Sequence, residues 1–530
     1  KDMPWAKKGY VQMEEQLRVK GADIKAPTMK SVAAQNAHVS MTKTDKKVNV
    51  KGEGYDIDID LTTGAISHLV YGGKEIITEG NGPKLDAFRA PTDNDAGIGY
   101  HNAWFKNGLY DLQHRVISKP TIVKGKNGIT QVSLTVESQG SEGCQQVYTD
   151  HDRNPETVYT FKQGKHALTA DDFKFTTNQI YTIYPDGSIE LQSAISANRN
   201  NVVLPRIGYS MKLPKQFNQF QYYGRGPVNN YADRKTGQFI ELHQGEVGKQ
   251  DIILPKPQSM GNREEVRWCA LSDGQGASVA FVADSVMSAS ALPWSQQQLA
   301  QAAHIYQLPQ SDGTYLHLDA KVTGLGGASC GQGGPFVEDQ ARSTNYNFGF
   351  VIRPVATGKT AAQVAKVSLS GDQPISIEHS RVGKVTLSSP AKGRTIMYAI
   401  NGSKKAAVYT APIDLRAGGT ITTWYKDNPL MKTSMTYAKI ESVPLQVLFA
   451  SSEEPGSGSA ANMVDGDPAT MWHTMYSITL AKYPHWVDFD AAEPKLMKGF
   501  TLLPRQSGNN GWVKDYEIYV SQDGKNWGEP

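Results

Sequence analysis

From residue 46 onward, apolar and polar residues alternate with a period of two. Val48 and Val50 alternate with lysine and asparagine, and Ile57 and Ile59 alternate with aspartates before a Thr-Thr-Gly turn. Successive side chains of a strand point to opposite faces of its sheet. The pattern therefore predicts an antiparallel hairpin with one buried face and one solvated face.

Similar short apolar segments recur over the next 300 residues, separated by Gly, Pro, Asn and Asp. Strands are predicted at 129–136, 158–161, 188–195, 202–211, 277–282, 315–322 and 346–352. The one clear helical pattern, SQQQLAQ at 295–301, is short. Many short strands without alternating helices predict an all-β chain whose largest part is an antiparallel β-sandwich, followed by smaller β-sandwich domains.

Changes in composition indicate how the chain divides. The predicted parts are a short N-terminal segment at 1–25, a linker at 26–45, the large sandwich at 46–355, a connector at 356–384, a small β-unit at 385–440 and a third β-unit at 443–530. The first of these is too small to bury a core alone. Further strands are predicted at 364–369 (VAKVSL), 486–489, 499–503 and 516–520.

Composition narrows the function classes. The chain has 530 residues, 39% hydrophobic and 20% charged, which is typical of a folded protein of three or four domains. A net charge of +3 with scattered Lys and Arg argues against nucleic-acid binding. The sequence contains no run of 18 apolar residues, so no membrane-spanning helix is predicted. The three cysteines, Cys144, Cys269 and Cys330, have neither metal-binding spacing nor a disulfide pattern.

The stretch DAFRAPTDNDAG at 86–97 concentrates polar chemistry. Asp93, Asn94 and Asp95 compete with the backbone for hydrogen bonds, so we expect a structured loop after a strand rather than a helix interior. Arg89 lies close enough in sequence to pair with a carboxylate. These groups could contact a ligand, but a charged hydrogen-bond network within the loop is the favoured interpretation.

Paired carboxylates for glycoside hydrolysis are not evident. The acidic doublets are Glu14–Glu15, Glu264–Glu265 and Glu453–Glu454. Adjacent residues of a strand face opposite sides, so a doublet is not a catalytic pair, and exposure to solvent is the favoured interpretation for all three. No residue is predicted to be catalytic.

Two further stretches could approach a sugar. Tyr222 and Tyr223 are adjacent, so only one of them can face a given side of a strand, and packing is favoured over binding. The segment GLGGASCGQGGP at 324–335 has six glycines in twelve residues, which permits close backbone approach to a ligand or simple flexibility.

The third β-unit carries two candidate sites. The segment DGDPAT at 465–470 supplies hard oxygen atoms, either for calcium or for an ion-free turn. Downstream, His473, Arg505 and Trp512 are residue types that suit the hydroxyl groups and the apolar face of a sugar. Scattered surface polar residues are an equally good interpretation of that second group.

Four motifs then carry a family resemblance. RAPTDND, YYGRGPVNNYADRKTG, WSQQQLAQAAH and LHLDAKVTGLGG occur in this order within 46–355. They resemble signatures of the C-terminal β-sandwich of family 2 glycoside hydrolases of the β-galactosidase type, a sandwich similar to galactose mutarotases. The segment GYVQMEEQLRV is similar to the last strand of the immunoglobulin-like domain that precedes this sandwich.

The resemblance implies a division of labour. The two catalytic glutamates of that family lie on a barrel upstream of Lys1, so this chain alone is expected to be inactive. The barrel would be its partner in the same polypeptide, and a β-galactoside its ligand. The sandwich lends a loop to the rim of the active site. Members often carry a tryptophan after the GxGG motif, and here Cys330 or Gln332 would line the site instead.

Residues 385–440 resemble a chitobiase-type C-terminal β-domain, and 443–530 resemble an F5/8 type C, or discoidin-like, galactose-binding module. That module implies structural calcium at Asp467 and Thr470 and sugar binding near His473, Arg505 and Trp512. It also favours a periplasmic or secreted location. The alternatives are a stand-alone carbohydrate-binding or adhesion protein, and a mutarotase-like isomerase with an acid and a base in the sandwich cleft.

Overall fold

A computed structural model of the chain describes residues 2–17, 19, 26–32, 38–125, 127–143, 145–149, 156–161, 168–169, 172–199, 202–251, 254–326, 333–380, 383–440, 445–467, 470–491, 494, 499–505 and 511–530. The chain divides into two compact units, the first within 1–378, 387–410 and 420–435, and the second within 379–386, 411–419 and 436–530. Antiparallel strands dominate the described residues, and the prediction of an all-β chain is confirmed.

The alternating segment after residue 46 belongs to a five-stranded antiparallel sheet. Its strands are Ser40–Lys43, Lys47–Gly52, Tyr55–Asp60, Ile66–Tyr71 and Lys74–Ile77, in sequence order across the sheet. Val48, Val50, Ile57 and Ile59 are fully buried, as the alternation predicts. Asp58 is also buried, and Lys47 Nζ donates a hydrogen bond to its Oδ2 at 2.7 Å.

A thirteen-stranded antiparallel sheet forms the body of the first unit. Its strands are Lys84–Asp86, Gln113–Val116, Thr121–Lys124, Thr130–Gln139, Lys174–Ile183, Ile189–Ala197, Arg206–Leu213, Gln219–Gly226, Phe239–Glu246, Arg263–Ser272, Ser278–Leu292, Thr314–Val322 and Tyr346–Pro354. Two small pairs accompany it, Gln145–Thr149 with Glu156–Thr160 and Val203–Leu204 with Ala341–Arg342. Every strand predicted between 129 and 352 is present, with shifted ends.

The main core lies between these two sheets. Buried side chains of the five-stranded sheet form one cluster with buried side chains of the large sheet, among them Leu134, Tyr181, Leu191, Phe281 and Phe350. Burying each such side chain stabilises the fold by about 1.5–3 kcal/mol relative to exposure. The predicted large antiparallel sandwich is thus the arrangement that removes both apolar faces from water.

The helices in the described residues are few and short. They are Met29–Val32, Asp93–Gly97, Tyr100–Lys106, Gln296–Gln301 and Ala361–Val364, with 3-10 turns at Ile305–Gln307, Val337–Asp339 and Ala460–Met463. The predicted helix at 295–301 is confirmed, and Ser295 caps it by accepting the N–H of Gln298 at 3.1 Å.

Two local predictions were wrong, and a helix cap accounts for the first and for the start of the second. Asp93–Gly97 is a one-turn helix rather than a loop, since Thr92 caps it by accepting the N–H of Asp95. VAKVSL is not a strand. Thr360 caps the helix Ala361–Val364, and Val364 is buried against the outer face of the large sheet.

The first 45 residues contribute one short helix, one strand and a side-chain contact to the first unit. The segment 26–45, predicted as a linker, includes Met29–Val32 and Ser40–Lys43, and the buried Met29 donates its N–H to the Ser368 carbonyl at 2.9 Å. Residues 2–17 and 19 form no strand, and the immunoglobulin-like assignment of 1–25 stays a prediction. Gln16 contacts Ile240 on the outermost strand, Phe239–Glu246, where its Nε2 donates to the carbonyl at 3.1 Å and its Oε1 accepts the N–H at 2.8 Å.

The C-terminal third contains shorter strands. They are Ser376–His379, Lys384–Ser388, Ile396–Ile400, Ala407–Val408, Ile413–Asp414, Gly419–Tyr425, Asn428–Tyr437, Gln446–Ala450 and Val487–Asp490. In the second unit, Gln446–Ala450 pairs with Val487–Asp490, close to the strand predicted at 486–489.

The strands predicted at 499–503 and 516–520 are not formed. Phe500, Leu503, Tyr516 and Val520 are exposed there, and no strand pairs with either segment in the described residues. Alternating apolar residues form a strand only where a neighbour supplies hydrogen bonds and a surface to pack on. Among the described residues, no helix is long and apolar enough to cross a membrane.

Candidate functional site

Three of the four sequence motifs meet at the base of the glycine-rich segment. We call residues 324–326 and 333–335 the glycine-loop stem. The strand Thr314–Val322 leads directly into it. The tip between its two halves, residues 327–332, lies outside the described residues, so the predicted roles of Cys330 and Gln332 stay predictions.

Arg89 joins the first motif to the stem. Its fully buried guanidinium donates from Nη2 to Asp95 Oδ1 at 2.7 Å and from Nε to Asp95 Oδ2 at 3.1 Å. It also donates to the carbonyls of Thr323 and Gly324. The cap residue Thr92 donates its N–H to Asp95 at 2.9 Å. The prediction of a charged network within this loop is confirmed.

Asn94 and Asp233 fix the next two residues of the stem. Asn94 Nδ2 donates to the Leu325 carbonyl at 2.7 Å, and the N–H groups of Leu325 and Gly326 donate to the Asp233 carboxylate at 3.0 and 2.8 Å. Gly326 has φ of +97°, which L residues rarely adopt. Asp233 belongs to the YADRKTG motif, so side chains from two distant motifs hold one backbone turn.

The other half of the stem packs on the helix Tyr100–Lys106. A Cβ at Gly334 would lie 2.9 Å from the Tyr100 hydroxyl, so only glycine fits there without a shift. The WSQQQLAQ motif contacts the first motif, where Gln296 Oε1 accepts the N–H of Ala90 at 2.9 Å. All four motifs therefore form one connected structure.

The adjacent tyrosines point to opposite faces, as predicted. Tyr222 is fully buried, and its hydroxyl accepts a hydrogen bond from Arg263 Nε at 2.8 Å. Tyr223 is exposed. Tyr222 is thus part of the packed sheet rather than a sugar platform.

Two of the acidic doublets are not surface pairs, which corrects the prediction. Glu264 accepts hydrogen bonds from Asn262 and Ser288, each at 2.8 Å, and burial raises the pKa of its carboxyl. A β-bulge with φ of +53° at Glu265 breaks the alternation and turns Glu264 inward. Glu264 is half-buried, whereas Glu454 is buried and accepts the N–H of Tyr476 at 2.7 Å. Glu14–Glu15 is exposed, as predicted.

The predicted sugar-binding residues of the second unit are only partly brought together. Trp512, with 54% of its surface exposed, donates from Nε1 to the Arg505 carbonyl at 3.1 Å. The His473 ring packs edge-on against Tyr476, 4.8 Å between ring centres. Trp512 and Arg505 therefore form one surface element, and His473 belongs to another contact.

The predicted calcium loop is closed by hydrogen bonds around Asp465. Thr470 Oγ1 donates to Asp465 Oδ2 at 2.6 Å, and the Asp467 N–H donates to Asp465 Oδ1 at 2.7 Å. The sequence prediction assigned metal binding to Asp467 and Thr470 within 465–470, and that assignment stays a prediction. Carboxylate, carbonyl and hydroxyl oxygens fit the preference of calcium. The described residues contain no group of three His, Cys, Asp or Glu side chains arranged to hold a metal.

Comparison with known proteins gives two family matches. Residues 51–352 match the family described as beta galactosidase small chain, and 448–530 match the F5/8 type C domain. The chain is 27% identical to a beta-galactosidase of Priestia megaterium over 332 residues, which cover 62% of this chain and 28% of the relative. It is 28% identical to one from Lactobacillus delbrueckii subsp. bulgaricus over 334 residues, again 62% and 28%. The chain thus spans less than a third of the length of these curated relatives.

Replacing Asp95 with asparagine tests the Arg89 network. Asp95→Asn leaves a buried guanidinium without its counter-charge, and we expect the free energy of unfolding to fall by about 3–5 kcal/mol. Asp93→Asn is the matched control, because Asp93 is exposed and its ion pair with Lys256 has a distance of 3.3 Å. This substitution should lower the free energy of unfolding by less than about 1 kcal/mol. Urea unfolding followed by circular dichroism measures both. Equal midpoints for the two variants would contradict the role given to the network.

Proposed function

Since the chain belongs to the beta galactosidase small chain family, we propose that it is the non-catalytic C-terminal part of a modular family 2 β-galactosidase. A catalytic barrel upstream in the same polypeptide is its partner. That barrel carries the general acid/base and the nucleophilic carboxylate of a retaining glycosidase, which hydrolyses terminal β-galactosides.

The glycine-loop stem is the observation that carries this proposal. Arg89 and Asn94 from one segment and Asp233 from another hold the backbone of residues 324–326 by hydrogen bonds. Rigid support of this kind is what a loop needs in order to place side chains at a reaction centre within a fraction of an ångström. In the proposal, the stem presents the tip, with Cys330 and Gln332, to the rim of the galactoside pocket.

A stand-alone carbohydrate-binding or adhesion protein is the second candidate, and the F5/8 type C match favours it. The two functions differ in what lies upstream. A coding sequence that encodes a barrel with two suitably placed glutamates decides for the hydrolase. A mutarotase-like isomerase would need an accessible acid and base in the sandwich, and the buried His317 and Asp319 do not meet that need.

The chain alone should not hydrolyse a chromogenic β-galactoside, because in the proposal both catalytic carboxylates lie on the upstream barrel. Release of the chromophore should equal that of a buffer blank at enzyme concentrations that give a full-length relative rapid turnover. Measurable turnover that a point change within the chain abolishes, such as Glu264→Gln, would overturn the proposal.

We further propose that the second unit binds galactosides through the surface formed by Arg505 and Trp512, with His473 as the third predicted contact. An exposed indole offers an apolar face to a sugar ring, and weak binding suffices to raise the local concentration of substrate for a tethered catalytic domain.

Trp512→Ala should weaken binding of methyl β-galactoside about five- to tenfold, which corresponds to the loss of roughly 1 kcal/mol of ring contact. Trp527→Ala is the matched control, because Trp527 is similarly exposed but lies outside the predicted site. Isothermal titration calorimetry measures both. The same affinity for both variants would exclude Trp512 from the site.

Calcium is the proposed structural ion of the loop 465–470, held by Asp467 and Thr470 together with Asp465. When bound, the ion would replace the hydrogen bonds that now close the loop around Asp465. Millimolar calcium should raise the melting temperature of the second unit in the parent chain and not in the double variant Asp465→Asn/Asp467→Asn. An equal rise in both chains, or in neither, would refute the site.

A further inference from the structure

Three ion pairs in the described part of the chain join an arginine and an aspartate that are each no more than 4% exposed. Two of them are closed, with N···O distances of 2.7 Å and 2.8 Å: Arg89–Asp95 and Arg263–Asp251. The third is open, because Arg206 Nη2 lies 3.5 Å from Asp319 Oδ2. Charged hydrogen bonds of this type normally close to 2.7–2.9 Å. The long distance therefore calls for a physical cause.

The groups of the open pair lack the hydrogen bonds that the closed pairs have. Among the residues that the structure describes, neither oxygen of Asp319 accepts a hydrogen bond, and Nε and Nη1 of Arg206 donate none. Both side chains are at most 1% exposed, so bulk solvent does not stabilise a charge there. An ionised carboxylate without donors is costly in such a place, and the neutral acid is favoured.

Arg206, Asp86 and Glu264 are the charged or titratable groups that act on Asp319. His317 lies two residues before Asp319 on the same strand, and its Nδ1 is 3.8 Å from Asp86 Oδ2. Asp86 accepts the N–H of Phe88 at 2.8 Å, and Glu264 accepts two hydrogen bonds, so both have donors that Asp319 lacks.

Burial is the main cause that raises the pKa of Asp319 to about 7, and Asp86 and Glu264 raise it further while Arg206 lowers it. Burial also raises the pKa values of Asp86 and Glu264. For His317, burial and Arg206 hold the pKa well below its ordinary value, so its ring stays neutral. A pKa of about 7 places the loss of the Asp319 proton near neutral pH.

The open pair is built into the strands that carry the glycine-loop stem. Arg206 pairs with Val322 across the sheet, and the preceding Pro205 accepts the N–H of Thr323 at 3.0 Å. The Thr323 hydroxyl donates to the Leu204 carbonyl. A shift of Arg206 therefore displaces Thr323, which immediately precedes Gly324 in the stem.

We propose that Arg206 and Asp319 are positioning residues for the glycine-loop stem, which keeps the observed arrangement while Asp319 carries a proton and loosens when that proton is lost to solvent. No bond between heavy atoms forms or breaks. The importance of the stem for catalysis rests on the proposed function, whereas the proton-dependent loosening does not.

Amide hydrogen exchange at Leu325 and Gly326 tests the proposal, because their N–H groups close the stem onto Asp233. A carboxyl whose pKa is higher in the closed state than in the opened state destabilises the closed state as pH rises toward the higher value. After correction for intrinsic rates, the protection factors should fall at least tenfold between pH 5 and pH 7 and level off above about pH 7.

Two variants separate this effect from general destabilisation. Asp319→Asn keeps the shape and stays neutral, so its protection factors should be flat from pH 5 to pH 8. Asp312 lies two residues before the strand Thr314–Val322, at the end away from the stem. Asp312→Asn should keep the wild-type profile, because Lys212 holds the pKa of Asp312 below its ordinary value.

A flat wild-type profile, or a pH dependence that persists in Asp319→Asn, would overturn the proposal. If Asp319→Asn does not fold, as judged by circular dichroism, the wild-type profile decides alone. Exchange is measured on this chain without a galactoside. Hydrolysis by the isolated chain would therefore refute the proposed function without changing the measured protection factors.

Discussion

The glycine-loop stem depends on the ion pair and the hydrogen bonds that the buried guanidinium of Arg89 makes. Removing a cation fully from water is costly, and the cost is lowest when its charge is balanced and its N–H groups are bonded. Asp95 balances the charge, and carbonyls of Thr323 and Gly324 accept the remaining hydrogen bonds. One side chain thereby joins segments that lie 235 positions apart in the chain. The helix cap at Thr92 orients Asp95, so local and long-range structure depend on the same carboxylate.

Most of the fold could be predicted from the sequence because the burial pattern has the period of a strand. The alternation at Val48–Val50 and Ile57–Ile59 corresponds directly to the buried face of the five-stranded sheet. The errors have more than one cause: 499–503 and 516–520 have no neighbouring strand in the described residues, whereas a helix cap outweighs residue preference at Val364. Val364 has a high preference for strands, yet the cap at Thr360 places it at the end of a helix.

Less of the candidate site could be predicted, because its contacts connect residues that are distant in sequence. The motifs around Arg89 and the glycines were evident, and the charged network followed from short spacing. The contact of Asp233 with Leu325 spans 92 positions, and no spacing rule indicates it. The half-buried position of Glu264 depends on the bulge at Glu265, which breaks the alternation on which the prediction relied.

The contact of Gln16 with Ile240 has a consequence for the margin of the large sheet. A terminal strand exposes a row of backbone donors and acceptors that can recruit a foreign chain, and sheets grow into fibrillar aggregates by this route. The Gln16 amide occupies one donor and one acceptor of that row. An incoming peptide would have to displace it before pairing without interruption, so the contact is a local barrier to polymerisation.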